Sequence, residues 1–531
     1  NRHARRRVGV RVRRGPMNNN AAARVAIRVD ASAAIGTGHL KRCLSLAQAL
    51  TEAGGEVRFV CRRLDAVAAQ VLAAVSEPVC WLPAPSDAMK PEPEAPPHAA
   101  WAGVPQMQDA HDTAEALNGW SPHWVVVDHY AFDAHWHNTV REALGCRLLV
   151  IDDTADRPLD ADILLDHNWD ADHHAKYAMR LQREPLRLLG PRFALLSTAY
   201  RSAPRHNFHD RVRSVGIFMG GTDPGGISAR VLAACRAAGF AGTIEVVSTS
   251  ANSRLDALQQ ACAVDSAVTL TLDQPDLAGF FARHDLQIGA GGGATWERCC
   301  IGAPTVAMAL VANQSAVVPG LAALGAVRAA TEDNLPDVLR NLIANPAARR
   351  ALSKTAAALV DGRGAERVAL VLLGNRLQLR PATADDALLL YGWRNHPDVR
   401  AVSTTQDPID FDAHQRWLHA VLVNPARWLF VAQVGKLPVG SIRFDRLDEG
   451  ECEVSLYTDP DLRGLGQGQR LLAAGEQALL ALHPQGFTSV ASVLAGNTAS
   501  QRLFHAAGYH GGPLQYRKTV GPRQTPEHTA P

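Results

Sequence analysis

Short runs of Val, Ile and Leu alternate with helical stretches from residue 24 to residue 373, and this alternation constrains the fold more than any other feature. Strands joined by helices pair in parallel, with helices on both faces of the sheet. The sequence therefore predicts an α/β fold with two doubly wound, Rossmann-like domains that face a cleft. The runs expected to form buried strands are 24–30, 57–61, 124–128, 148–152 and 163–166, then 215–219, 244–247, 268–270, 286–288 and 305–308.

The pattern changes after residue 375. Segments 428–433, 437–445 and 451–458 alternate polar and apolar residues, which is typical of strands with one solvated face, and they predict a C-terminal α+β domain. Residues 1–16 are expected to be upstream sequence, because Met17 immediately precedes the first structured segment. The predicted division is a basic, disordered leader (1–23), two Rossmann-like domains (24–205 and 206–375), the α+β domain (376–520) and a disordered tail (521–531).

Charge and cysteine content exclude several classes of function. The net charge is +2, but the first fourteen residues carry seven Arg, which leaves −5 on the rest of the chain. A mildly acidic body is a poor nucleic-acid binder, so we expect no nucleic-acid partner. Nine scattered Cys without a C-x-x-C motif indicate a reducing compartment, and we expect a cytoplasmic protein. Apolar runs are too short for a membrane helix, so no membrane association is expected. The oligomeric state is left open.

A histidine follows a glycine-rich turn after the first predicted strand. The turn contains Gly36 and Gly38, which permit a close backbone approach to a ligand, and His39 and Arg42 share one face of the helix that follows. Because open α/β sheets bind ligands at the carboxyl ends of their strands, we predict that His39 is catalytic. Asp30, Gly36, Gly38 and Arg42 are predicted to bind the substrate. The alternative is that His39 only caps its helix.

The second domain contains two glycine-rich turns. Each follows a predicted strand and precedes a helix, an arrangement suited to phosphate, although an ordinary strand-to-helix turn is equally compatible with the first when it is taken alone. Glu297 falls one turn into the second of these helices, where its carboxylate could accept both hydroxyls of a ribose. The sequence predicts a nucleoside diphosphate site here, with substrate contacts from Gly220, Gly221, Asp223, Gly291, Gly292, Glu297, Asn313 and Gln314.

These motifs together resemble the glycosyltransferase-B superfamily. Within it, segments 28–44, 127–130, 151–153 and 220–224 resemble the UDP-2,4-diacetamido-2,4,6-trideoxy-β-L-altropyranose hydrolases of pseudaminic-acid synthesis. The resemblance implies a UDP-amino-sugar substrate and hydrolysis with inversion at the anomeric carbon. A neutral His39 suits activation of water at neutral pH. Tyr130 is predicted to position the sugar or the water, with packing as its alternative role, and Asn313 to bind the sugar.

The C-terminal domain contains a further glycine-rich turn motif, Arg463-x-x-Gly466-x-Gly468, between a strand and a long helix. Such a turn can bind a pyrophosphate. With Asn497 and the segment 498–509 downstream, it resembles the GNAT N-acetyltransferases, which implies acetyl-CoA as co-substrate. The pair Arg394 and Asn395 resembles the acetyltransferase that acts on the 4-amino group of a UDP-sugar, and it is predicted to bind substrate. The predicted acetyl-CoA contacts are Arg463, Gly464, Gly466, Gly468 and Asn497.

Alternation places Glu451, Glu453, Ser455 and Tyr457 on one face of a strand. We predict that Glu453 deprotonates the amine, directly or through water; a solvated strand edge is the alternative. Many relatives carry a Tyr general acid where this chain has Phe504. Two substitutes are possible, Tyr509 and Tyr457, and we name Tyr509 as the candidate; unassisted departure of the thiolate is the third option.

The chain is therefore interpreted as a bifunctional enzyme that acetylates a UDP-amino sugar and then removes UDP from the product. Two other interpretations stay open: a glycosyltransferase with a non-water acceptor, in which the GNAT domain is a regulatory acyl-CoA sensor, and a related hydrolase acting on a different sugar. The histidine pairs at 135/137 and 173/174 lack the spacing of metal ligands, so no metal is predicted. The Pro-rich insertion at 83–105 is given no function.

Overall fold

The computed structural model describes residues 22–86, 95–311, 314–512 and 514–521. The predicted leader up to residue 21, the tail from residue 522 and Asn313 lie outside these residues. The fold contains three sheets, two wholly parallel and one mixed.

The first sheet has seven parallel strands in the order β3-β2-β1-β4-β5-β6-β7. Its central strands are buried on both faces, which explains their nearly continuous Val, Ile and Leu content. The strands are β1 (Ala23–Val29), β2 (Gly55–Arg62), β3 (Val79–Leu82), β4 (Trp124–Asp128), β5 (Arg147–Ile151), β6 (Ile163–Asp166) and β7 (Leu186–Leu189). The helices are α1 (Gly38–Glu52), α2 (Val67–Leu72), α3 (Gln106–Ala116), α4 (Ala134–Leu144), α5 (His173–Tyr177) and α6 (Thr198–Ser202).

The second sheet has six parallel strands in the order β10-β9-β8-β11-β12-β13. Its strands are β8 (Ser214–Phe218), β9 (Thr243–Ser248), β10 (Val268–Leu272), β11 (Leu286–Ala290), β12 (Thr305–Met308) and β13 (Arg328–Ala329). Its helices are α7 (Ile227–Ala237), α8 (Leu255–Ala263), α9 (Ala278–Arg283), α10 (Ala294–Ile301), α11 (Val317–Ala323), α12 (Leu335–Ala344) and α13 (Pro346–Leu359), and α14 (Gly364–Leu373) follows them in the chain. The prediction of two doubly wound domains is confirmed.

The third sheet is antiparallel except for one central parallel pair, β17 with β18. Its strand order is β14-β15-β16-β17-β18-β20-β19. The strands are β14 (Gln378–Pro381), β15 (Arg427–Val434), β16 (Leu437–Asp448), β17 (Glu451–Thr458), β18 (Phe487–Ser492), β19 (His510–Gly511) and β20 (Gln515–Val520). The helices are α15 (Ala387–Asn395), α16 (Pro397–Arg400), α17 (Phe411–Leu422), α18 (Gln467–Leu482) and α19 (Thr498–Ala506).

Both parallel sheets have a switch point, where neighbouring strands send their connections in opposite directions. In the first sheet it lies between β1 and β4, and in the second between β8 and β11. Open α/β sheets bind ligands in the crevice outside the carboxyl ends of such strands. The predicted His39 turn follows β1, and the two predicted glycine turns follow β8 and β11. The topology therefore places all three turns at switch points.

Helix α14 follows the second domain in the chain but packs elsewhere. Its apolar residues, among them Val368, Leu370 and Leu373, share one core with α1 and with strands and helices of the third domain. The second domain has separate cores that do not include α14. A domain boundary at residue 375, read from chain order, thus separates α14 from the residues against which it is buried.

Candidate functional site

His39 and Asp128 form a hydrogen-bonded pair at the switch point of the first sheet. His39 lies in the first turn of α1, and Asp128 is the last residue of β4. His39 Nδ1 lies 2.6 Å from Asp128 Oδ1. The carboxylate favours the tautomer with its proton on Nδ1, because that nitrogen then donates to it. The other ring nitrogen, Nε2, is left as a base.

Asp128 is held in place by a second partner, Arg42. The Arg42 guanidinium donates from Nε and from a terminal nitrogen to the two Asp128 oxygens, each at 2.6 Å. Asp128 is fully buried, and burial alone would raise the pKa of its carboxyl. The charges and hydrogen bonds of Arg42 and His39 overcome this effect and hold that pKa well below its usual range. The carboxylate is therefore ionised and fixed beneath the imidazole.

Aromatic rings form a wall beside His39. The Tyr130 ring lies edge-on at 4.7 Å from the His39 ring, and the Trp101 ring at 6.0 Å. Trp101 stacks on Tyr130 at 5.7 Å, and His98 lies 5.6 Å from the same tyrosine. His98 and Trp101 belong to the Pro-rich insertion at 83–105, for which no function was predicted. The described part of that insertion lines the histidine site.

A chain of hydrogen bonds leads from Tyr130 to the second domain. The Tyr130 hydroxyl donates to Asp153, and burial together with this carboxylate raises the pKa of Tyr130 well above its usual value. Asn168 Nδ2 donates to the other Asp153 oxygen at 2.7 Å, and Trp296 Nε1 donates to Asn168 Oδ1 at 3.1 Å. Trp296 lies in α10, directly after the glycine turn of β11. The tyrosine and the second glycine turn are thus connected through polar contacts.

Asp30 does not take the substrate-binding role that the sequence predicted. It is buried, and its two oxygens accept hydrogen bonds from Arg28 at 2.6 and 2.8 Å. One of them also accepts from the backbone N–H of Arg62 at 2.7 Å. The predicted turn glycines do lie next to His39: Gly36 has φ +79°, which favours glycine, and Gly38 opens α1. Asp30 is a structural ion-pair partner beneath them.

The turn after β8 contains the predicted Gly220 and Gly221, with Gly220 at φ +103°. Asp223 was also predicted to bind substrate, but its carboxylate accepts from the backbone N–H groups of Ile227 and Ser228 at 2.8 and 2.9 Å. It therefore caps α7 and satisfies the donors that a phosphate would need there. The backbone N–H groups of Ile227 and Ser228 are therefore not free to bind an anion.

A cavity of about 630 Å³ lies at the ends of β12 and β13, near the turn that follows β11. Val318 lines this cavity and lies so close to Gly291 that a Cβ at that position would come within 2.2 Å of its Cγ2. The Gln314 side-chain nitrogen Nε2, a hydrogen-bond donor, lies beside Gly292. The side-chain oxygen Oε1 accepts from the backbone N–H of Leu310 at 2.9 Å. The structure therefore brings together three of the predicted residues, Gly291, Gly292 and Gln314.

Glu297 and Arg298 lie just after the same turn. Burial raises the pKa of Glu297, against the opposing effects of a hydrogen bond from Tyr200 and the charge of Lys41 from the first domain. Arg298 is fully buried and donates to Ala290 O at 2.7 Å; burial lowers its pKa to about 10. An arginine beneath the end of β11 adds positive charge at the turn. Its position was not predictable, because residue 298 shares no motif with the glycines.

In the third domain, the turn between β17 and α18 has the predicted form. Gly464 and Gly466 have φ of +81° and +72°, and Gly466 immediately precedes α18. Nothing lies within 4 Å of where a Cβ would stand on either glycine, so the backbone there is open to a ligand. Gly468 lies in the first turn of α18, and the Arg463 side chain is 42% exposed at its rim. This geometry suits a pyrophosphate group.

Strands β17 and β18 diverge next to this turn. They pair as parallel strands only from Glu451 to Glu453 on β17, although β17 continues to Thr458. Glu453 is therefore the last paired residue before the fork, and Ser492 of β18 donates to its Oε1 at 2.7 Å. Cys452 and Val454, on the opposite face of β17, are buried. Glu453 lies on the half-exposed face with Tyr457, as the alternation predicted.

Tyr509 cannot act as the general acid in this conformation. Its side chain is buried, and its hydroxyl bonds to Glu476 at 2.9 Å and to Ser489 at 2.7 Å inside the domain core. Burial, with Glu476, raises its pKa far above the usual value. Tyr457 is the better-placed tyrosine, since it lies on the Glu453 face, and burial raises its pKa to about 12. The prediction for Tyr509 is corrected accordingly.

Two asparagines predicted as ligands have structural roles. Asn395 donates to Ile409 O at 2.9 Å and accepts from Ile409 N at 2.8 Å, which fastens a loop to the end of α15. Asn497 Oδ1 accepts from Ser500 N at 3.1 Å and caps α19. Arg394 stays a candidate for substrate contact, because its guanidinium interacts electrostatically with Tyr457 on the Glu453 face. One terminal nitrogen of this guanidinium donates to Thr405 O at 2.9 Å.

Two further observations concern the part of the chain that the structure describes. Its His, Cys, Asp and Glu side chains form no group of three or more arranged to hold a metal ion. No helix in the same residues combines the length and apolar character needed to cross a membrane.

Comparison with known proteins identifies the class of the third domain. Residues 376–510 match the acetyltransferase (GNAT) domain family. The chain therefore carries a C-terminal GNAT acetyltransferase domain after two Rossmann-like domains, as the predicted fold class stated.

Individual relatives cover parts of the chain. The acetyltransferase PseH of Campylobacter jejuni is 34% identical over 79 residues, which is 15% of this chain and 50% of that protein. The spore coat polysaccharide biosynthesis protein SpsG of Bacillus subtilis is 26% identical over 192 residues, or 34% of this chain and 57% of that protein. The chain thus spans about half the length of the curated relatives it matches. The crystal structure of Acinetobacter baumannii MurG, 15% identical, covers 65% of this chain and 98% of its own, with a TM-score of 0.47.

Proposed function

We propose that the two Rossmann-like domains hydrolyse a UDP-linked 2,4-diacetamido-2,4,6-trideoxy sugar to the free sugar and UDP. The observation that carries this proposal is the hydrogen bond between His39 Nδ1 and Asp128 at the switch point of the first sheet. It leaves Nε2 as a base at the carboxyl ends of the strands, where α/β sheets bind their ligands. Water is a poor nucleophile at neutral pH, so this is where assistance is needed.

In the proposed step, the water oxygen bonds to the anomeric carbon while its proton passes to His39 Nε2. The bond between that carbon and the diphosphate oxygen breaks, and its electron pair leaves with UDP. Attack from the side opposite the diphosphate inverts the anomeric centre. Asp128 stabilises the imidazolium that forms, and Arg42 keeps Asp128 in place. UDP is a good leaving group, so the reaction proceeds without strong acid catalysis.

The second domain is proposed to hold UDP. The backbone N–H groups at Gly220–Gly221 and at Gly291–Gly292 would face the diphosphate, and the buried Arg298 adds positive charge beneath the second turn. The cavity at the ends of β12 and β13, whose lining residue Val318 lies against Gly291, is large enough for the nucleobase. Glu297 is retained as the candidate for the ribose hydroxyls. Asn313 stays a prediction as the sugar contact.

We propose further that the GNAT domain transfers an acetyl group from acetyl-CoA to the 4-amino group of the precursor UDP-sugar. Gly464, Gly466 and Gly468 would cradle the pyrophosphate of the cofactor, and Arg463 would neutralise part of its charge. Glu453 at the fork between β17 and β18 would take the proton of the amine, directly or through water. The amine nitrogen then bonds to the acetyl carbon, and the thiolate of CoA departs.

The two reactions form a sequence, because the acetylated UDP-sugar from one domain is the substrate of the other. Two partial relatives support the combination of the two activities: an acetyltransferase and a spore coat polysaccharide biosynthesis protein each match part of the chain. The sugar itself is inferred from the motifs given above for the hydrolase family.

The test is a proton NMR time course with the monoacetylated UDP-4-amino sugar and acetyl-CoA. Wild-type protein should consume both and release the free diacetamido sugar. His39→Ala should still acetylate but accumulate the UDP-linked product, with hydrolysis slowed by about 10²–10⁴. His135→Ala, which removes a histidine with a 76% exposed side chain, is the matched control and should behave as wild type.

Other outcomes identify the alternatives. A protein that retains the UDP-sugar until an acceptor other than water is added is a glycosyltransferase. Acetyl-CoA binding without turnover would make the GNAT domain a regulatory sensor. Consumption of neither substrate would refute both halves of the proposal.

A further inference from the structure

The turn that is proposed to hold the acetyl-CoA pyrophosphate is fastened from outside its own domain. We call residues 459–466, between β17 and α18, the cradle loop. The loop contains one short 3₁₀ turn (Pro460–Leu462), but the residues after it, including two glycines at positive φ, form no helix or strand. Loop segments of this kind are more mobile than helices and strands. Three arginines that precede the GNAT domain in the chain contact this loop at alternate residues.

The first of these arginines is Arg363, which immediately precedes α14. Its guanidinium donates to both oxygens of Asp459, at 3.0 and 2.8 Å, and to Asp461 at 3.2 Å. Asp459 is buried, and the Arg363 side chain is only 13% exposed. A carboxylate–guanidinium pair removed from water in this way holds its geometry more strictly than an exposed pair.

The second and third arginines continue the same contact. Arg367, one helical turn further along α14, donates from Nε and a terminal nitrogen to Asp461 O at 3.0 and 2.7 Å. Its remaining terminal nitrogen donates to Arg192 O at 2.6 Å. The Arg192 guanidinium in turn donates to Arg463 O at 3.3 Å. Residues 459, 461 and 463 of the loop are each held by an arginine of the other half.

The support behind these arginines is rigid. Helix α14 is buried in a core shared with α1 and with the third domain. At the far end of α14, a Cβ on Gly374 would come within 2.4 Å of Gln467 Nε2, the first residue of α18. The third domain also contacts α1, the helix that packs on α14: Lys436 N donates to Glu52 O at 2.7 Å. The third domain is therefore fixed against α14 at both ends of that helix.

We propose that Arg363, Arg367 and Arg192 are positioning residues for acetyl-CoA. These arginines precede the GNAT domain in the chain and act on the acetyltransferase site from outside it. They hold the cradle loop in its binding conformation before the cofactor arrives, so that less ordering accompanies binding. This inference rests on the proposed cofactor site at residues 463–468. It makes acetyl-CoA affinity a property of the full chain.

The experiment compares full-length variants in steady-state acetylation, with acetyl-CoA and the amino sugar varied separately. Arg363→Met should raise KM for acetyl-CoA about tenfold, with kcat within about twofold and KM for the sugar unchanged, because a displaced loop weakens positioning of the cofactor. Arg363→Lys should restore part of the affinity. Arg380→Met, which removes an Arg–Asp pair of the same domain away from the loop, should leave all constants unchanged.

Arg363→Met leaves the buried Asp459 carboxylate without its partner and could prevent folding, so a milder variant is needed as a second test. Arg192→Met removes a single hydrogen bond to Arg463 O and should raise KM for acetyl-CoA about two- to threefold. Hydrolysis of the diacetamido UDP-sugar, measured on the same samples, reports that the chain is folded. Unchanged KM in folded Arg363→Lys and Arg192→Met, or an equal rise in Arg380→Met, would overturn the inference. Failure of wild-type protein to bind or use acetyl-CoA would instead refute the proposed function of the domain.

Discussion

Replacing Asp128 by Asn tests the hydrolytic site at its most specific contact. The substitution keeps the size of the side chain but removes its charge. His39 then loses the carboxylate that fixes its tautomer at 2.6 Å, and the buried guanidinium of Arg42 loses its ion-pair partner. Both losses act on the proton acceptor rather than on the nucleotide turns in the second domain. The expected effect is therefore on hydrolysis and not on UDP binding.

The magnitude follows from the state that Asp128 stabilises. A hydrogen bond to a charged group contributes about 1.5–3 kcal/mol, and the imidazolium forms only as water attacks. Loss of the preferred tautomer adds to this, so the barrier should rise by about 3–4 kcal/mol. That corresponds to a fall of about 10²–10³ in kcat for hydrolysis. Acetylation by the third domain should be unchanged.

The assay is UDP release from the diacetamido UDP-sugar, with acetyl transfer measured in parallel. Asp30→Asn is the matched control, because Asp30 is also a buried carboxylate bound by arginine at the end of a neighbouring strand but does not contact His39. Its kcat should stay within about threefold of wild type, since Arg28 keeps Asp109 as a partner. If Asp128→Asn hydrolyses as fast as Asp30→Asn, the reasoning about the histidine pair is wrong.

Stability provides a second measurement on the same variant. The folded-state pKa of Asp128 lies below the unfolded value of 3.8, so the carboxylate stabilises the fold above that value and loses this contribution as the pH falls toward the folded pKa. The melting temperature of wild type should therefore exceed that of Asp128→Asn most clearly at neutral pH. The difference should shrink below about pH 4.

Two further predictions concern other contacts. Glu453→Gln should lower kcat for acetylation, measured as CoA release, by about 10²–10³ if this residue is the base at the fork. Glu451→Gln is the control and should have little effect, because Glu451 lies two residues earlier on the same face and is ion-paired with Arg517. Equal rates of CoA release for the two variants would contradict the assignment. Trp296→Phe removes the N–H that donates to Asn168 while keeping an aromatic ring, and it should slow UDP release about threefold to tenfold without changing acetylation. Unaltered UDP release would show that this hydrogen bond between the domains does not support the site.

The location of the candidate sites was predictable because strand ends in a parallel sheet meet at one edge. The residues around His39 and the glycines at 220–221 and 291–292 follow strands that the sequence marks clearly, and the topology brings these turns to the switch points. The partner of His39 was not predictable to the same degree. Asp128 ends a recognisable strand 89 residues away, but its neighbour in the sheet depends on the order β2-β1-β4, which hydrophobic patterns do not determine.

The predicted ligand residues that make structural contacts in the fold share one physical feature. Asp, Asn and Tyr next to a motif can bind a ligand, but they can equally satisfy backbone donors or buried charges. Asp223 and Asn497 cap helices, Asn395 fastens a loop, and Asp30 neutralises a buried arginine. The Tyr509 hydroxyl donates to Glu476 inside the domain core. Residue type and spacing are the same in both uses, and only the positions of backbone N–H groups and buried cations distinguish them.

Helix α14 also determines how the two activities can be separated. Only residues 374–377 connect it to β14, and four residues span at most about 14 Å, so the third domain has to lie against it. Apolar side chains of α14, such as Leu370, and of the third domain, such as Val439 and Leu471, are buried in one core. A gene cut at residue 375 would leave that apolar surface in water on both fragments, and it would detach the cradle loop from Arg363. Weak acetylation by such a fragment would thus report the loss of these contacts rather than the chemistry of the GNAT site, which is why the variants above are designed in the full chain.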